Sequence, residues 1–347
     1  MLTDNQISEI RSFLEKAENP LFFYDDDPDG LCSFVLLRKK YQKGHGIAIK
    51  GIPVVDSSWI TKLEENFPDL LVILDKALVD QDFLDGCHIP VLWIDHHPPV
   101  IRSKVHYYNS KLNGSEMPTT GLCYKITGQD QWLAAVGCLA DAYIPPFYND
   151  VQNKYPDLLP EHPTIRDINT KSKFGSLIKT FFMFIKGKSA ELRSVANILT
   201  RIESPYEILD NQTPQGKFLT KRADKFFKEY NEILTEAKQQ KTKSKILLFI
   251  YNAKKTSFTA ELSNDLMNLF PDKVIIIGRE KGDTIKLSFR SLEFNLANLI
   301  ERSLINVKGY GGGHDHACGG CVVSEDFNRF MDNFTNLINE EIYNKKK

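Results

Sequence analysis

The chain has 347 residues, more than one compact domain usually holds, and this length predicts two packed units. Its 42% hydrophobic and 26% charged content excludes wholesale disorder, and no apolar run approaches the roughly 20 residues that a membrane helix needs. With 44 basic against 45 acidic residues the net charge is −1, so no global field attracts a polyanion and any nucleic-acid contact must come from a local groove.

The first residues, Met1 to Gln6, lack the basic start and apolar run of a secretory leader, so an intracellular, cytoplasmic protein is expected. Short apolar runs follow at residues 20–25, 46–55, 70–75 and 89–95, with helical stretches between them. That alternation predicts a parallel sheet covered on both faces. The continuous runs Leu71-Val72-Ile73-Leu74 and Val91-Leu92-Trp93-Ile94 suit strands buried on both sides.

Open α/β sheets bind ligands beyond the carboxyl ends of their strands, and here those ends carry acids. Asp25, Asp27 and Asp29 alternate by two; in an extended chain they would face one side and repel one another unless a cation sits among them. A solvated acidic run is the ordinary alternative. This run, however, follows Leu21-Phe22-Phe23 and precedes Gly30, which predicts a turn over the sheet. Asp75 and Asp95 each end a strand and alone would suit helix caps. Next to Asp95, His96 and His97 add imidazole to the carboxylates, a donor set for first-row divalent ions. Over residues 131–141 the apolar positions Trp132, Ala135, Val136, Leu139 and Ala140 recur at helical spacing and deliver Asp141 to the helix C-terminus. A carboxylate there opposes the helix dipole unless a cation compensates it.

Residues 148–244 read as a helical extension and connecting helix, Lys-rich over 217–228 and 238–245; such a run either tracks a nucleic-acid backbone or is a solvated face. From 245 a second, smaller α/β unit is predicted, with strands at 246–251, 274–277 and 284–290 and helices at 259–269, 294–304 and 325–343. Lys345-Lys346-Lys347 reads as a solvated end. Gly309, Gly311, Gly312 and Gly313 would let backbone amides approach a phosphate, with Arg290 and His314 adding charge-assisted hydrogen bonds. The alternative is a tight turn before a strand at 320–323. The donors of His314-Asp315-His316-Ala317-Cys318-Gly319-Gly320-Cys321 are too crowded for a paired zinc hook, and the six cysteines read as buried thiols.

Taken together, Asp-Asp-Asp-Pro-Asp-Gly at 25–30, Asp75 after its strand, Asp95-His96-His97 and Leu139-Ala140-Asp141 resemble the four motifs of the DHH phosphoesterases. Ser288-Phe289-Arg290 and Gly311-Gly312-Gly313-His314 resemble the substrate-binding elements of the DHH-associated domain, DHHA1, of RecJ-like exonucleases, oligoribonucleases and cyclic dinucleotide phosphodiesterases. Lys76-Ala77-Leu78-Val79-Asp80 looks like the archaeal RecJ-like branch.

The resemblance spans residues 20–145 and 245–340. It implies a DHH domain at 1–147, the helical extension at 148–244 and a DHHA1-type domain at 245–347. It also implies two divalent ions, usually Mn²⁺ with Mg²⁺ or Co²⁺ as alternatives, bridged by Asp75. One ion would take Asp27 and Asp75 with Asp25, the other Asp29, Asp75, His96 and Asp141. His97 would face the phosphate or orient the shell, Asp95 would hold a histidine, and an activated water would attack phosphorus. Many members have a histidine four residues before the Asp27 position, where this chain has Phe23. Either Asp25 replaces that ligand or the first ion is weakly held. The implied function is an exonuclease on single-stranded DNA or RNA. The alternatives are a phosphoesterase for oligoribonucleotides, cyclic dinucleotides or phosphoadenosine phosphate, and an inactive scaffold with replication or repair partners.

Overall fold

The computed structural model describes residues 1–51, 54–240, 242–252 and 256–345; Lys346 and Lys347 of the predicted solvated tail lie outside them. The chain divides into two compact units, Met1–Asp224 and Lys225–Lys347. That division falls inside a long helix.

The first unit opens with α1 (Asp4–Lys16), β1 (Pro20–Asp25), α2 (Pro28–Tyr41) and β2 (His45–Ile49). Next come β3 (Val54–Val55), α3 (Ile60–Asn66), β4 (Leu70–Leu74), β5 (Leu78–Val79) and α4 (Gln81–Gly86). Then follow β6 (Val91–Asp95), β7 (His106–Asn109), α5 (Thr119–Thr127) and α6 (Gln131–Ala140). Helices alone complete it: α7 (Tyr148–Lys154), α8 (Ile165–Lys171), α9 (Lys173–Phe184), α10 (Ser189–Leu199), α11 (Pro205–Leu209) and the start of α12 (Pro214–Lys238). The strand predicted over 46–55 is two pieces, β2 and β3; Gly51, at φ 60°, turns the chain between them, and residues 52–53 lie outside the described set.

The main sheet has the order β2-β1-β4-β6-β7 and is parallel throughout, as the alternating pattern predicts. Every residue of β4 and β6 is buried, which explains why these strands read as unbroken apolar runs. On one face Tyr24 and Phe22 pack against Phe34 of α2, and α2 packs against α5 and α6. On the other, Leu21, Phe23, Ile73 and Trp93 join Phe83 in a continuous core. The chain leaves β1 toward β2 on one side and finds β4 on the other, so a crevice opens at the carboxyl ends of β1 and β4.

The second unit contains β8 (Ile246–Tyr251), α13 (Thr259–Leu269), β9 (Val274–Lys281) and β10 (Thr284–Arg290). It ends with α14 (Leu296–Ser303), β11 (Gly309–His314), β12 (Ala317–Val323) and α15 (Phe327–Lys345). Its sheet, β11-β12-β10-β9-β8, is mixed: β8 and β9 run parallel and the other pairs antiparallel. Phe289 of β10 packs on Phe330 and Phe334 of α15, and α14 shares that core. The glycines, read as a phosphate-approaching loop with a tight turn as the alternative, form the edge strand β11, because strand pairing needs only backbone and every one of them finds a partner on β12. No helix among the described residues is long and apolar enough to cross a membrane.

Candidate metal centre

Three strand ends and one helix end of the first unit bring their acids together. β1 ends on Asp25, after which the chain turns directly into α2. Asp27 caps that helix, its carboxylate accepting the Gly30 N–H at 2.8 Å, and Asp29 lies in the first turn. The three acids lie on the turn expected over the sheet, and Pro28 at the first helical position starts α2 within their run. Gly30 permits the close approach: a Cβ would lie 2.6 Å from the Asp25 carbonyl oxygen.

Asp75 follows β4 with a left-handed backbone, φ 59°, a conformation that Asp tolerates better than most residues. His96 follows β6, and Asp141 caps the C-terminal end of α6. Nε2 of His96 is 3.3 Å from Asp75 Oδ1, 3.5 Å from Asp141 Oδ2 and 3.8 Å from Asp29 Oδ2. Donor atoms of Asp25, Asp27 and Asp75 lie within 4.8 Å of one another, as do those of Asp29, His96 and Asp141 and those of Asp75, His96 and His97. All the residues expected to hold metal are thus neighbours, with Asp75 and His96 shared between groups.

Asp29 and Asp75 are each 1% exposed. Burial first, and then the surrounding carboxylates, hold Asp27 and Asp75 well above the ordinary carboxylate range. Asp26, on the same turn, is pushed up to about 6 by burial and by Asp25. Mutually repelling, desolvated acids with the imidazoles of His96 and His97 beside them are what divalent cations relieve, so the donor chemistry fits such ions.

Two sets of supporting contacts escaped the sequence reading, the Thr119-Thr120 helix start and the Asn109 and Tyr107 partners of Asp95. The backbone N–H groups of Thr119 and Thr120, at the start of α5, donate to the two oxygens of Asp29 at 2.9 and 2.7 Å, and Thr119 Oγ1 donates to Asp75 Oδ1 at 3.1 Å. Pro118 before a Thr pair marks this helix start in the sequence, but nothing in it says which acid the start faces. Asp95, fully buried, accepts from His97 Nδ1 at 2.8 Å, Asn109 Nδ2 at 3.1 Å and Tyr107 Oη at 3.3 Å. Burial disfavours a charged His97, but the Asp95 hydrogen bond and the nearby carboxylates outweigh it, and its pKa is raised. Asn109 and Tyr107 belong to β7, which the sequence reading missed.

The second unit holds the other predicted residues. Arg290 ends β10; its Nε donates to Asn264 Oδ1 at 2.6 Å and its Nη1 to Ser288 Oγ at 3.2 Å. Ser288 is buried and pairs with Ser263 Oγ at 2.9 Å, so its hydroxyl supports Arg290 from within. Across the sheet Arg290 is opposite Ala317, which is opposite His314, so the arginine and the histidine sit at one end of the sheet. Gly311, Gly312 and Gly313 continue β11 along its edge; Gly313, at φ 144°, leaves no room for a Cβ, which would lie 2.6 Å from the Ala317 carbonyl oxygen. Cys318 and Cys321 are three apart on β12 and point to opposite faces, so they do not form a metal hook, and both are free thiols.

Residues 244–340 match the DHHA1 domain model. No curated protein matches the sequence. The fold is similar to that of Thermus thermophilus RecJ solved with Mn²⁺, at 14% identity and a TM-score of 0.70, covering 97% of this chain and 55% of that one. An exonuclease RecJ bound to manganese gives 15% identity and a TM-score of 0.58 over 97% of this chain and 95% of that one. The DHH domain from a member of a family of ribosomal proteins gives 13% and 0.62 over 96% and 90%. The chain therefore spans about half of the Thermus protein. These likenesses bear out the expected architecture, a parallel-sheet domain followed by a DHHA1 domain in a RecJ-like fold.

Proposed function

We propose that this chain, with its RecJ-like DHH/DHHA1 fold, is a metal-dependent phosphoesterase that acts as an exonuclease on single-stranded DNA or RNA. The observation that carries this reading is the convergence of Asp29, Asp75 and Asp141 on His96 Nε2, all within 3.8 Å, in a crevice beyond the strand ends. Asp27 and Asp75, joined by Asp25, would hold one divalent ion, and Asp29, Asp75, His96 and Asp141 the other. Mn²⁺ and Mg²⁺, both present in solved RecJ structures, would supply Lewis-acid charge to a phosphoryl oxygen and lower the pKa of a nearby water.

The chain's own residues do the rest. The α5 N–H groups fix Asp29, and Thr119 fixes Asp75, so the acids are oriented before a ligand arrives. His97, its Nδ1 proton held by Asp95, would turn its other ring nitrogen to the phosphoryl group. In the second unit Arg290, His314 and the backbone of the glycine edge strand would take a nucleotide phosphate, with Ser288 keeping Arg290 in position.

A substrate panel tests this: 5′- and 3′-labelled single-stranded DNA and RNA of graded length, a dinucleotide, cyclic di-AMP and phosphoadenosine phosphate, each with Mn²⁺. A rate that rises with length, lost in the Asp75→Asn/His96→Ala variant, supports the exonuclease. Activity confined to dinucleotides or smaller compounds would replace it with the small-nucleotide reading. Retained activity in the double variant would move the site elsewhere, and inactivity of the folded wild type on the whole panel would favour a scaffold.

A further inference from the structure

Lys76 directly follows Asp75 and sends its side chain back toward the end of β1, where Nζ lies 2.7 Å from Asp25 Oδ1. The lysine side chain is only 3% exposed. An ammonium is removed this far from water only when a partner compensates it. Its backbone is held on both sides: its carbonyl oxygen accepts the Trp93 indole N–H at 2.9 Å, and Asp75 before it adopts the left-handed conformation. Trp93 itself is fully buried and stacks on Tyr107, so the Lys76 backbone is anchored to β6.

Asp25 is one of the carboxylates that, with Asp27 and Asp75, form a candidate cation position. On β1 the residue on the same side of the strand, Phe23, offers no donor; it is buried in the core against Trp59 and Phe83. The Asp25, Asp27, Asp75 group therefore already contains a fixed positive charge, whereas the group of Asp29, His96 and Asp141 includes an imidazole and does not include Asp25.

We propose that Lys76 is a built-in cation of this centre, which engages Asp25 and makes the two metal positions unequal: the Asp29, His96, Asp141 position fills first, and the Asp25, Asp27, Asp75 position takes its ion weakly. This rests on the metal-dependent reading above. A compact ammonium and a divalent ion that share one carboxylate repel each other, and the ammonium is tethered to an anchored backbone and enclosed beside Asp25, so it is the ion that yields. Lys76 is thus a positioning residue that sets metal stoichiometry.

Mn²⁺ titration of the full chain, followed by the EPR signal of the free ion and by calorimetry, tests the proposal without any assay of activity. The wild type should bind one ion tightly and a second at least about tenfold more weakly. Lys76→Met should tighten the second ion about tenfold or more, Lys76→Arg should keep the inequality, and Lys76→Met/Asp25→Asn should lose the gain. Two ions of equal affinity in the wild type would overturn the proposal, as would a folded Lys76→Met variant whose second ion binds no more tightly. The wild-type titration decides the matter if the variant fails to fold. Binding of no ion at all would overturn both this proposal and the phosphoesterase reading, whereas two equal ions would overturn this proposal alone.

Discussion

The acid centre of the first unit and the arginine-glycine edge of the second are built on opposite plans. In the first, charge is buried and its orientation comes from backbone: strand ends, a helix cap, and the N–H groups that open α5. In the second, charge lies at one end of a sheet whose outer strand is made largely of glycine, and the polar work falls to exposed main chain and one arginine. A buried cluster of like charges is costly until its counter-ion arrives, so it should respond strongly to pH and to metal. An open strand edge should respond to neither, and a change there should alter binding without altering the rest of the molecule.

The sharpest way to break this contrast is Asp75→Asn, which keeps the shape of the side chain and removes the charge shared by the acid groups. Hydrolysis should fall on the order of a thousandfold or more, while the metal-free protein should melt at a higher temperature than wild type, because a desolvated like charge has been removed. A lower melting point would mean that the acid cluster is not a store of repulsion. Arg290→Ala comes next: KM for nucleic acid should rise about ten- to a hundredfold with kcat and Mn²⁺ binding little changed, as expected when charge-assisted phosphate contacts are lost. An equal fall in kcat would show that the edge participates in the chemistry.

Asn109→Ala should lower kcat about tenfold by loosening Asp95 and so His97, with KM unchanged. Subtler is the pH response of protein stripped with EDTA. The folded-state pKa values of Asp26, Asp27 and Asp75 are raised, so the native chain binds more protons than the unfolded one. Stability should be greatest below the ordinary carboxylate pKa and should decline as pH rises from about 4 through about 6 and beyond, a slope that added Mn²⁺ flattens. Calorimetry across that range measures it, and a rising slope in the metal-free state would contradict the account. The smallest effect belongs to Cys321→Ser, which should change melting and activity within error, because neither its strand register nor its surroundings give it a ligand role.

What could be read from the sequence followed from how each contact is made. β1, β4 and β6 announced themselves because their side chains are buried on both faces, and the acids just beyond them inherit positions from the sheet. β7 did not, since His106-Tyr107-Tyr108-Asn109 sits at a sheet edge and lacks an apolar run. The glycine strand was invisible for the converse reason: its pairing is entirely backbone, and glycine has no side chain with which to signal a face. The support that Thr119 and Thr120 give to Asp29 comes from N–H groups that every residue but proline possesses. In the sequence Lys76 only opens the Lys76-Ala77-Leu78-Val79-Asp80 stretch, and nothing there says which residue it faces. Only the three-dimensional return of the chain toward β1 reveals it as the partner of Asp25.

The left-handed backbone at Asp75 has a consequence for how this position tolerates change. Most side chains pay a conformational penalty there that has nothing to do with chemistry, whereas glycine, asparagine and aspartate do not. In a saturation library scored for folded protein alone, glycine and asparagine should therefore stand near wild type and alanine, valine and leucine well below it, while a screen for turnover should retain aspartate only. Position 75 would look permissive by abundance and absolute by function, and the gap between the two rankings separates what the turn requires from what the reaction requires.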